Sequence, residues 1–187
     1  MALCDINDSQ LVIVDVQERL ASVIAPESVA SMTRGCVLLL DAAAILGVPV
    51  LCTEQYPEGL GSTITAISDH LPANINTIAK TCFSSASATE FRQAIQTSGR
   101  KQVVLAGIES HVCILQTAME LAQQGQGVFV VEDAVCARSP SHHRNAMGRM
   151  RQAGIIITNT ESVIFEWLRD ASHEHFREIS TLLKEES

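Results

Sequence analysis

The 187-residue sequence has few aromatic side chains, and its basic side chains form no cluster. Phe, Trp and Tyr make up only 4% of the residues, so a hydrophobic core must be built from Ala, Val, Ile and Leu. Lys and Arg number 13 against 21 Asp and Glu, which gives a formal net charge of −8. Because nucleic-acid binding needs several basic side chains to neutralise phosphates, this balance argues against a nucleic-acid partner and against nuclease activity.

The six cysteines are widely spaced, the closest two lying 16 residues apart. This spacing excludes a CxxC zinc knuckle and a thioredoxin motif. The N-terminal residues lack the basic and long apolar regions of a signal peptide, so we expect a cytoplasmic protein with reduced thiols. The longest uncharged stretch, Ala42 to Thr53, is too short to span a bilayer and contains Gly47 and Pro49. No membrane partner is therefore predicted.

Short apolar runs alternate with longer amphipathic segments along the whole chain. The 47% apolar and 18% charged shares exclude disorder, and the length fits a single domain over residues 1–187. Strands are predicted over 11–14, 48–52, 75–79, 103–106, 128–131 and 155–157. Alternation of buried strands with helices predicts an α/β fold: a three-layer α/β/α, doubly wound sheet of about six parallel strands. A helical segment is expected at the C-terminus, over about 160–187.

Helix boundaries are signalled by capping residues and by glycine. A long helix is predicted from Pro26 to about Leu46, with Gly47 as its C-terminal stop. Ser87 and Glu90 form the pattern of a capping box, as do Thr158 and Glu161. Ser139 followed by Pro140 predicts a further helix start. A last amphipathic helix is expected over 173–184.

Three chemically active side chains follow different strands of this predicted sheet. Doubly wound sheets place their sites at the carboxyl ends of the strands, where Asp15, Lys80 and Cys113 lie. Cys113 is expected in the first turn of a helix, where the helix dipole favours a thiolate and a lowered pKa. Asp15 can take the thiol proton and return it to a leaving amine, while the Lys80 ammonium holds both anions. A strand order that includes 3-2-1-4 brings the three together.

Taken singly, each of these residues has an ordinary structural explanation. An Asp after a strand often caps a helix, a lone Lys is usually a solvated surface charge, and a single Cys usually fills the core. The chemical interpretation depends on all three facing one edge of one sheet. A nucleotide-binding domain remains a weaker alternative, because no G-x-G-x-x-G follows the first strand.

Three segments of the sequence resemble the motifs of the isochorismatase-like cysteine hydrolases. They are Leu11–Gln17 (LVIVDVQ), Ala79–Phe83 (AKTCF) and Ala106–Cys113 (AGIESHVC), in family order and spacing across nearly the whole chain. Thr53–Pro57 and Gly59–Gly61 further resemble the subgroup that contains the vertebrate isochorismatase-domain proteins.

The resemblance implies roles for several of these residues. It implies a Rossmann-like fold with Asp15, Lys80 and Cys113 as the catalytic triad. It also implies a cis peptide bond between Ile108 and Glu109, with the backbone N–H groups of Glu109 and Cys113 forming an oxyanion hole. The family usually forms dimers or larger homo-oligomers and acts on small molecules.

The sequence also departs from parts of the family pattern. The nicotinamidases of the family carry an Asp and two His as metal ligands after the second strand, whereas this chain has Glu54–Glu58 there and no His before His70. Neither a metal nor another cofactor is therefore expected. True isochorismatases lack the nucleophilic cysteine, so Cys113 argues against vinyl-ether cleavage.

The predicted function is hydrolysis of a small amide or related C–N bond through a thioester on Cys113. Asp15 would act as general base and then acid, and Lys80 as the stabilising cation. The predicted pocket lining is Gln17, Tyr56, Phe83 and His111. The alternative is a redox-sensitive or scaffolding protein without significant turnover, since accessible thiols of low pKa oxidise readily.

Overall fold

The computed structural model describes residues 3–75 and 77–185, and it contains one six-stranded sheet. Every neighbouring pair of strands is parallel, in the order β3-β2-β1-β4-β5-β6. The predicted α/β doubly wound fold and its 3-2-1-4 order are confirmed. The strands are β1 (Ser9–Val14), β2 (Val50–Gln55), β3 (Ile78–Lys80), β4 (Gln102–Ile108), β5 (Gly127–Cys136) and β6 (Ile156–Thr158).

Helices cover both faces of this sheet. In chain order they are α1 (Glu18–Ala21), α2 (Pro26–Leu46), α3 (Pro57–Leu60), α4 (Thr65–Ser68), α5 (Thr89–Ser98), α6 (Leu115–Gln123), α7 (Pro140–Gln152), α8 (Thr160–Leu168) and α9 (Phe176–Glu185). One face is covered by α2, α8 and α9, and the other by α5, α6 and α7. The C-terminal segment predicted as helical contains α8 and α9, while residues 186–187 lie outside the described part.

The alternation of side chains along β1 explains why its sequence is apolar without interruption. Leu11 and Ile13 pack in the core beneath α2 and α8, whereas Val12 and Val14 pack in the core beneath α5 and α6. All four side chains are fully buried. A strand covered on both faces needs apolar residues at every position. The apolar run 11–14 was predicted as such a buried strand.

Helix α2 is the longest helix of the described residues, and it ends at Gly47 as predicted. Gly47 has φ +70° and donates its N–H to the Ala43 carbonyl, a left-handed C-cap. By length and composition alone, this helix also qualifies as a membrane-spanning candidate near the N-terminus. Its buried side chains, including Met32, Cys36 and Leu39, pack against the sheet.

Several strand boundaries differ from the predicted ones. Strand β2 was predicted over 48–52 but extends to Gln55, so the polar residues expected just after the strand belong to it. The third strand was predicted from Ile75 but begins at Ile78; Asn76, within the predicted range, lies outside the described residues. In β4 the chain continues through Gly107, which was expected to break it. The ends of β2 and β4 were predicted too early, because pairing with neighbouring strands continues past the apolar runs.

Two predicted capping boxes are wrong. Helix α5 has Ala88 as its N-cap, with no side-chain cap, and the Ser87 hydroxyl donates to Glu120 instead. Helix α8 is capped by Asn159, whose side chain accepts the Ser162 N–H. The Ser139 cap of α7 is confirmed, since its hydroxyl accepts the Ser141 N–H.

Strands β1 and β4 lie side by side at the centre of the sheet, where the chain order reverses. Val14 is opposite Gly107, and Gly107 has φ +118°. A β-carbon at Gly107 would overlap the Val14 carbonyl oxygen, so only glycine allows the two backbones to approach this closely. The residues that follow, Asp15 and Ile108 to Cys113, are thereby brought to one edge of the sheet.

Candidate active site

Asp15 and Lys80 form a fully buried ion pair at the carboxyl edge of the sheet. Lys80 Nζ lies 2.6 Å from Asp15 Oδ2, and both side chains are 0% exposed. Strand β2 lies between them: Val14 is opposite Thr53, and Gln55 is opposite Lys80. The lysine side chain reaches across this intervening strand, as the predicted strand order requires.

Two side chains of β2 complete the surroundings of the pair. Thr53 Oγ1 donates to Asp15 Oδ1 at 2.7 Å, and Lys80 Nζ donates to Gln55 Oε1 at 2.8 Å. Sequence reasoning noted both residues but gave them no role. The signal was available: residues two apart in a strand lie on the same face, so Thr53 and Gln55 extend toward the same neighbours.

The backbone of Asp15 departs from strand geometry. Its φ of +53° lies in the left-handed region, which Asp tolerates better than most residues. Its N–H still donates to the Thr53 carbonyl at 3.0 Å, and its own carbonyl accepts the Gln17 N–H at 2.8 Å. This turn directs the chain away from the sheet immediately after the carboxylate.

Cys113 is buried, with 5% of its surface exposed, and it lies close enough to Asp15 and Lys80 for both charges to act on the pKa of its thiol. Burial raises the pKa of the Cys113 thiol to about 12, and the charge of Asp15 adds to this increase. Lys80 and the backbone N–H of Glu109 lower it by less. The predicted lowering of this pKa is therefore wrong, because desolvation of the thiolate by burial is the largest effect on it.

The raised pKa defines the resting protonation state. At neutral pH Cys113 is a thiol, and both the charge of Asp15 and a hydrogen bond with its side chain favour this protonated form. A carboxylate in that position can accept the thiol proton as the sulfur attacks an electrophile. The arrangement therefore fits a nucleophile activated during the reaction.

The segment between β4 and α6 carries the other groups near the thiol. The peptide bond between Ile108 and Glu109 is cis. The backbone N–H of Glu109 reaches the Cys113 sulfur, and residues Ser110–Ile114 form a π-helical turn leading into α6. The Glu109 carboxylate is 8% exposed and accepts a hydrogen bond from Arg138 Nε at 2.8 Å.

Three of the four predicted pocket residues lie at this edge of the sheet. Tyr56 is 52% and Phe83 is 54% exposed, and His111 is half-buried. The His111 ring lies 4.5 Å from the ring of His142, centroid to centroid. Burial lowers the pKa of His111, with His142 and Arg138 adding to the effect and Glu109 opposing it, so the imidazole is neutral at pH 7.

The fourth predicted pocket residue is Gln17, and here the structure corrects the prediction: Gln17 exposes no surface to a pocket. Its side chain is fully buried, and its amide nitrogen donates to the carbonyl oxygens of Gln55 and Gly61. Its amide oxygen accepts the Gln55 N–H at 2.7 Å. Gln17 therefore fixes the end of β2 to the following loop, and its hydrogen-bonding capacity is taken up by protein.

A cavity of about 450 Å³ opens on the β3 side of the triad. Its lining includes Tyr56, Lys80 and Cys82. A larger cavity of about 820 Å³ lies beside β2, β3 and α5, and its lining includes Val50, Ile78 and Ala94. None of the predicted site residues lines it. We take the smaller cavity as a neighbour of the functional site because two predicted site residues, Tyr56 and Lys80, line it, although Asp15 and Cys113 do not.

The described residues contain no group of three or more His, Cys, Asp or Glu side chains placed to hold a metal ion. Glu54, at the start of the stretch where the nicotinamidases of the family carry ligands, accepts hydrogen bonds from Thr63 N and Oγ1 at 2.6 and 2.8 Å. The Glu54 carboxylate therefore holds the loop that contains Thr63.

The pKa of Cys113 leads to a pH prediction. Since the thiolate is the form that reacts with iodoacetamide, we expect the alkylation rate of Cys113 to rise about tenfold per pH unit from pH 7 to pH 9, without a plateau. Peptide mass mapping after timed quenching would measure it. A plateau near pH 7 would show that Cys113 is a thiolate at rest and would contradict the direction of the shift.

Comparison with known proteins identifies the family. The family model described as the isochorismatase domain matches residues 9–162, from the first residue of β1 into α8. The chain belongs to the isochorismatase family. The resemblance inferred from the three motifs is thereby confirmed. All three motifs lie within the matched range.

One related protein and two solved structures match most of the chain. Isochorismatase domain-containing protein 2A of Mus musculus is 40% identical over 181 residues, covering 96% of this chain and 84% of the mouse protein. A solved structure named MAR1 ribonuclease, from Caenorhabditis elegans, is 36% identical with a TM-score of 0.91, covering 98% of this chain and 93% of that one. The Escherichia coli ycaC gene product, described as an octameric hydrolase of unknown specificity, is 24% identical with a TM-score of 0.86, covering 99% and 96%.

Proposed function

We propose that this chain is a cysteine hydrolase that cleaves a small amide, or another C–N bond, through a thioester on Cys113. Membership of the isochorismatase family supports hydrolase activity. The observation that carries the finer proposal is one buried thiol beside a carboxylate that is itself paired with a buried lysine. Nucleophile, proton acceptor and stabilising cation are the groups that acyl transfer requires.

In the first half of the reaction, Cys113 Sγ attacks the substrate carbonyl carbon while Asp15 accepts the thiol proton. The carbonyl oxygen becomes an oxyanion, which the backbone N–H groups of Glu109 and Cys113 would bind. The C–N bond then breaks, and Asp15 gives its proton to the departing nitrogen. Lys80 compensates the charge of Asp15 before and after the transfer.

In the second half, a water molecule attacks the thioester carbon and transfers a proton to Asp15. Collapse of this second tetrahedral intermediate breaks the C–S bond and releases the carboxylic acid. The sulfur regains its proton from Asp15, which restores the resting thiol and carboxylate. No cofactor is needed for this cycle.

The rim of the site supports a small substrate with an apolar part. Tyr56 and Phe83 expose aromatic surface on the β2 and β3 side, and the cavity of about 450 Å³ is of the size that small ligands occupy. On the β5 side, His111 and Arg138 offer hydrogen bonding. His111, Tyr56 and Phe83 are thus our candidates for contact with substrate.

Exposed aromatic side chains beside the site also support association of copies of this chain. Large apolar groups at a surface often mark an interface. The E. coli neighbour is described as octameric, and we propose a homodimer or a larger homo-oligomer here. A cytoplasmic location stays a prediction.

The test is direct trapping of the acyl-enzyme. The protein is incubated with a panel of small amides and carbamates, quenched in acid, and examined by intact mass and peptide mapping. A mass increase equal to the acyl group on Cys113, with release of ammonia or amine, is expected for a true substrate. Two results together would contradict the mechanism. The first is release of amine with no Cys113 adduct under rapid quenching, and the second is undiminished release after Cys113 is alkylated.

Ribonuclease activity is a second candidate, because the C. elegans structure carries that name. The net charge of −8 argues against a broad phosphate-binding surface. Single-stranded and structured RNA substrates belong in the same panel. Cleavage of RNA that survives alkylation of Cys113 would favour this second function over the thioester mechanism.

The redox alternative is less favoured by the site. Thiols that sense oxidants are usually of low pKa and accessible, whereas the pKa of Cys113 is raised to about 12 and the residue is buried. Stable sulfenic acid on Cys113 at low peroxide, with no hydrolysis across the panel, would reverse this preference.

A further inference from the structure

The segment between β3 and α5, residues Cys82–Ala88, contacts the ammonium group of the triad. Lys80 Nζ donates to the carbonyl oxygens of Cys82 at 3.3 Å and Phe83 at 3.2 Å. These carbonyls join Asp15 and Gln55 around the ammonium group. We call residues 82–88 the lysine clamp, because its backbone determines two of the four contacts of Lys80 Nζ.

The same segment is held from the other side by α6. The hydroxyl groups of Ser84 and Ser87 both donate to Glu120 Oε2, each at 2.8 Å. Between them, the Ser85 N–H donates to Thr117 Oγ1 at 2.8 Å. Glu120 and Thr117 of α6 thus accept hydrogen bonds from three serines of the lysine clamp. The Thr117 side chain is fully buried.

Thr117 and Glu120 lie four and seven residues after the nucleophile. Thr117 and Glu120 are three residues apart on α6 and so lie on one face of it, and the helical turn that carries Cys113 leads directly into this helix. The helix that carries the thiol is therefore fastened to the segment that holds Lys80. Displacing the clamp would change the position of the ammonium group relative to the sulfur.

We propose that Glu120 is a positioning residue of the active site. By accepting hydrogen bonds from Ser84 and Ser87, it fixes the lysine clamp and so sets the distance between the Lys80 ammonium group and the Cys113 sulfur. This inference rests on the proposed function for the roles of those two residues. It also explains why Ser87, which the sequence pattern assigned to a helix cap, is directed elsewhere.

The inference has a consequence for thiol reactivity that a purely structural role would not have. Lys80 lowers the pKa of Cys113, opposing the effects of burial and of Asp15. If the clamp loosens and Lys80 moves away, the thiolate becomes rarer and alkylation becomes slower. If Glu120 only stabilised the loop, loosening would expose the thiol and leave alkylation unchanged or faster.

The experiment measures the iodoacetamide alkylation rate of Cys113 at pH 8 by peptide mapping. We expect Glu120→Ala to slow it at least fivefold, and Glu120→Gln, which keeps an acceptor oxygen, to stay within twofold of the parent protein. The matched control is Glu166→Ala, since Glu166 also accepts a short hydrogen bond, from Cys4 N, but on α8. An unchanged or faster rate in Glu120→Ala would overturn the proposal, as would an equal slowing in the control.

A double-substitution cycle keeps the test decisive if Glu120→Ala folds poorly. Ser87→Ala removes one bond through an exposed hydroxyl, and we expect about a twofold slower rate in the parent protein. We expect no further slowing when it is added to Glu120→Leu, a side chain of similar size without an acceptor. Independent, multiplicative effects would contradict the link between the two residues. Because alkylation displaces iodide and requires no turnover, the cycle is informative even if the panel of amides yields no substrate.

Discussion

Replacing Lys80 with Met is expected to lower the free energy of unfolding by about 3–5 kcal/mol and to abolish hydrolysis. Lys80 and Asp15 are both fully buried, and removing one partner of a buried ion pair leaves a charge that neither water nor protein compensates. The carbonyls of Cys82 and Phe83 also lose their donor. Urea denaturation followed by circular dichroism would measure the loss.

The double variant Asp15→Asn with Lys80→Met provides the matched control. It removes the unpaired charge, and Asn tolerates the positive φ of residue 15 as well as Asp does. We expect it to regain at least half of the lost stability while remaining inactive. A single Lys80→Met variant within about 1 kcal/mol of the parent would contradict the assignment of a buried ionic pair.

Replacing Cys113 with Ala is expected to reduce turnover of any true substrate to background, a loss of at least about a thousandfold. The thiol is the only protein group in the proposed cycle that forms a bond to substrate carbon. The fold should persist, because the change removes one small buried atom, and we expect a stability loss within about 1–2 kcal/mol. Amine release and thermal unfolding, measured on the same preparation, separate the two effects.

Cys136 gives the corresponding control. It too is buried, 6% exposed, and burial raises its pKa to about 12, with the charge of Glu109 adding to the effect. It lies at the end of β5 and takes no part in the proposed cycle. We therefore expect Cys136→Ala to retain turnover within about threefold. Equal losses in both variants would mean that Cys113 acts through packing.

The strands, their order and the pairing of Asp15 with Lys80 were predictable because each depends on local sequence and a topological rule. The uninterrupted apolar run Leu11–Val14 indicates a strand covered on both faces, and the switch in strand order places Asp15 beside the residues after β4. The ends of β2 were not predictable, because Thr53 to Gln55 are polar yet remain hydrogen-bonded to β1 and β3.

The properties that sequence reasoning missed depend on three-dimensional neighbours. The thiol of Cys113 lies in a helical turn that suggested a lowered pKa, yet its burial has the opposite and larger effect. Gln17 is near the triad in sequence and polar, but its amide is used by the backbone of Gln55 and Gly61. Glu120 is an ordinary helix residue until the loop after β3 is placed against it.

The two outer strands of the sheet, β3 and β6, are each only three residues long. A long, flat outer strand offers free N–H and C=O groups to other chains and favours amyloid-like association, whereas short ones limit it. Pairing of strands between molecules is therefore restricted at both margins. We expect copies of this protein to assemble through side-chain surfaces such as the one around Tyr56 and Phe83, and to resist edge-to-edge aggregation.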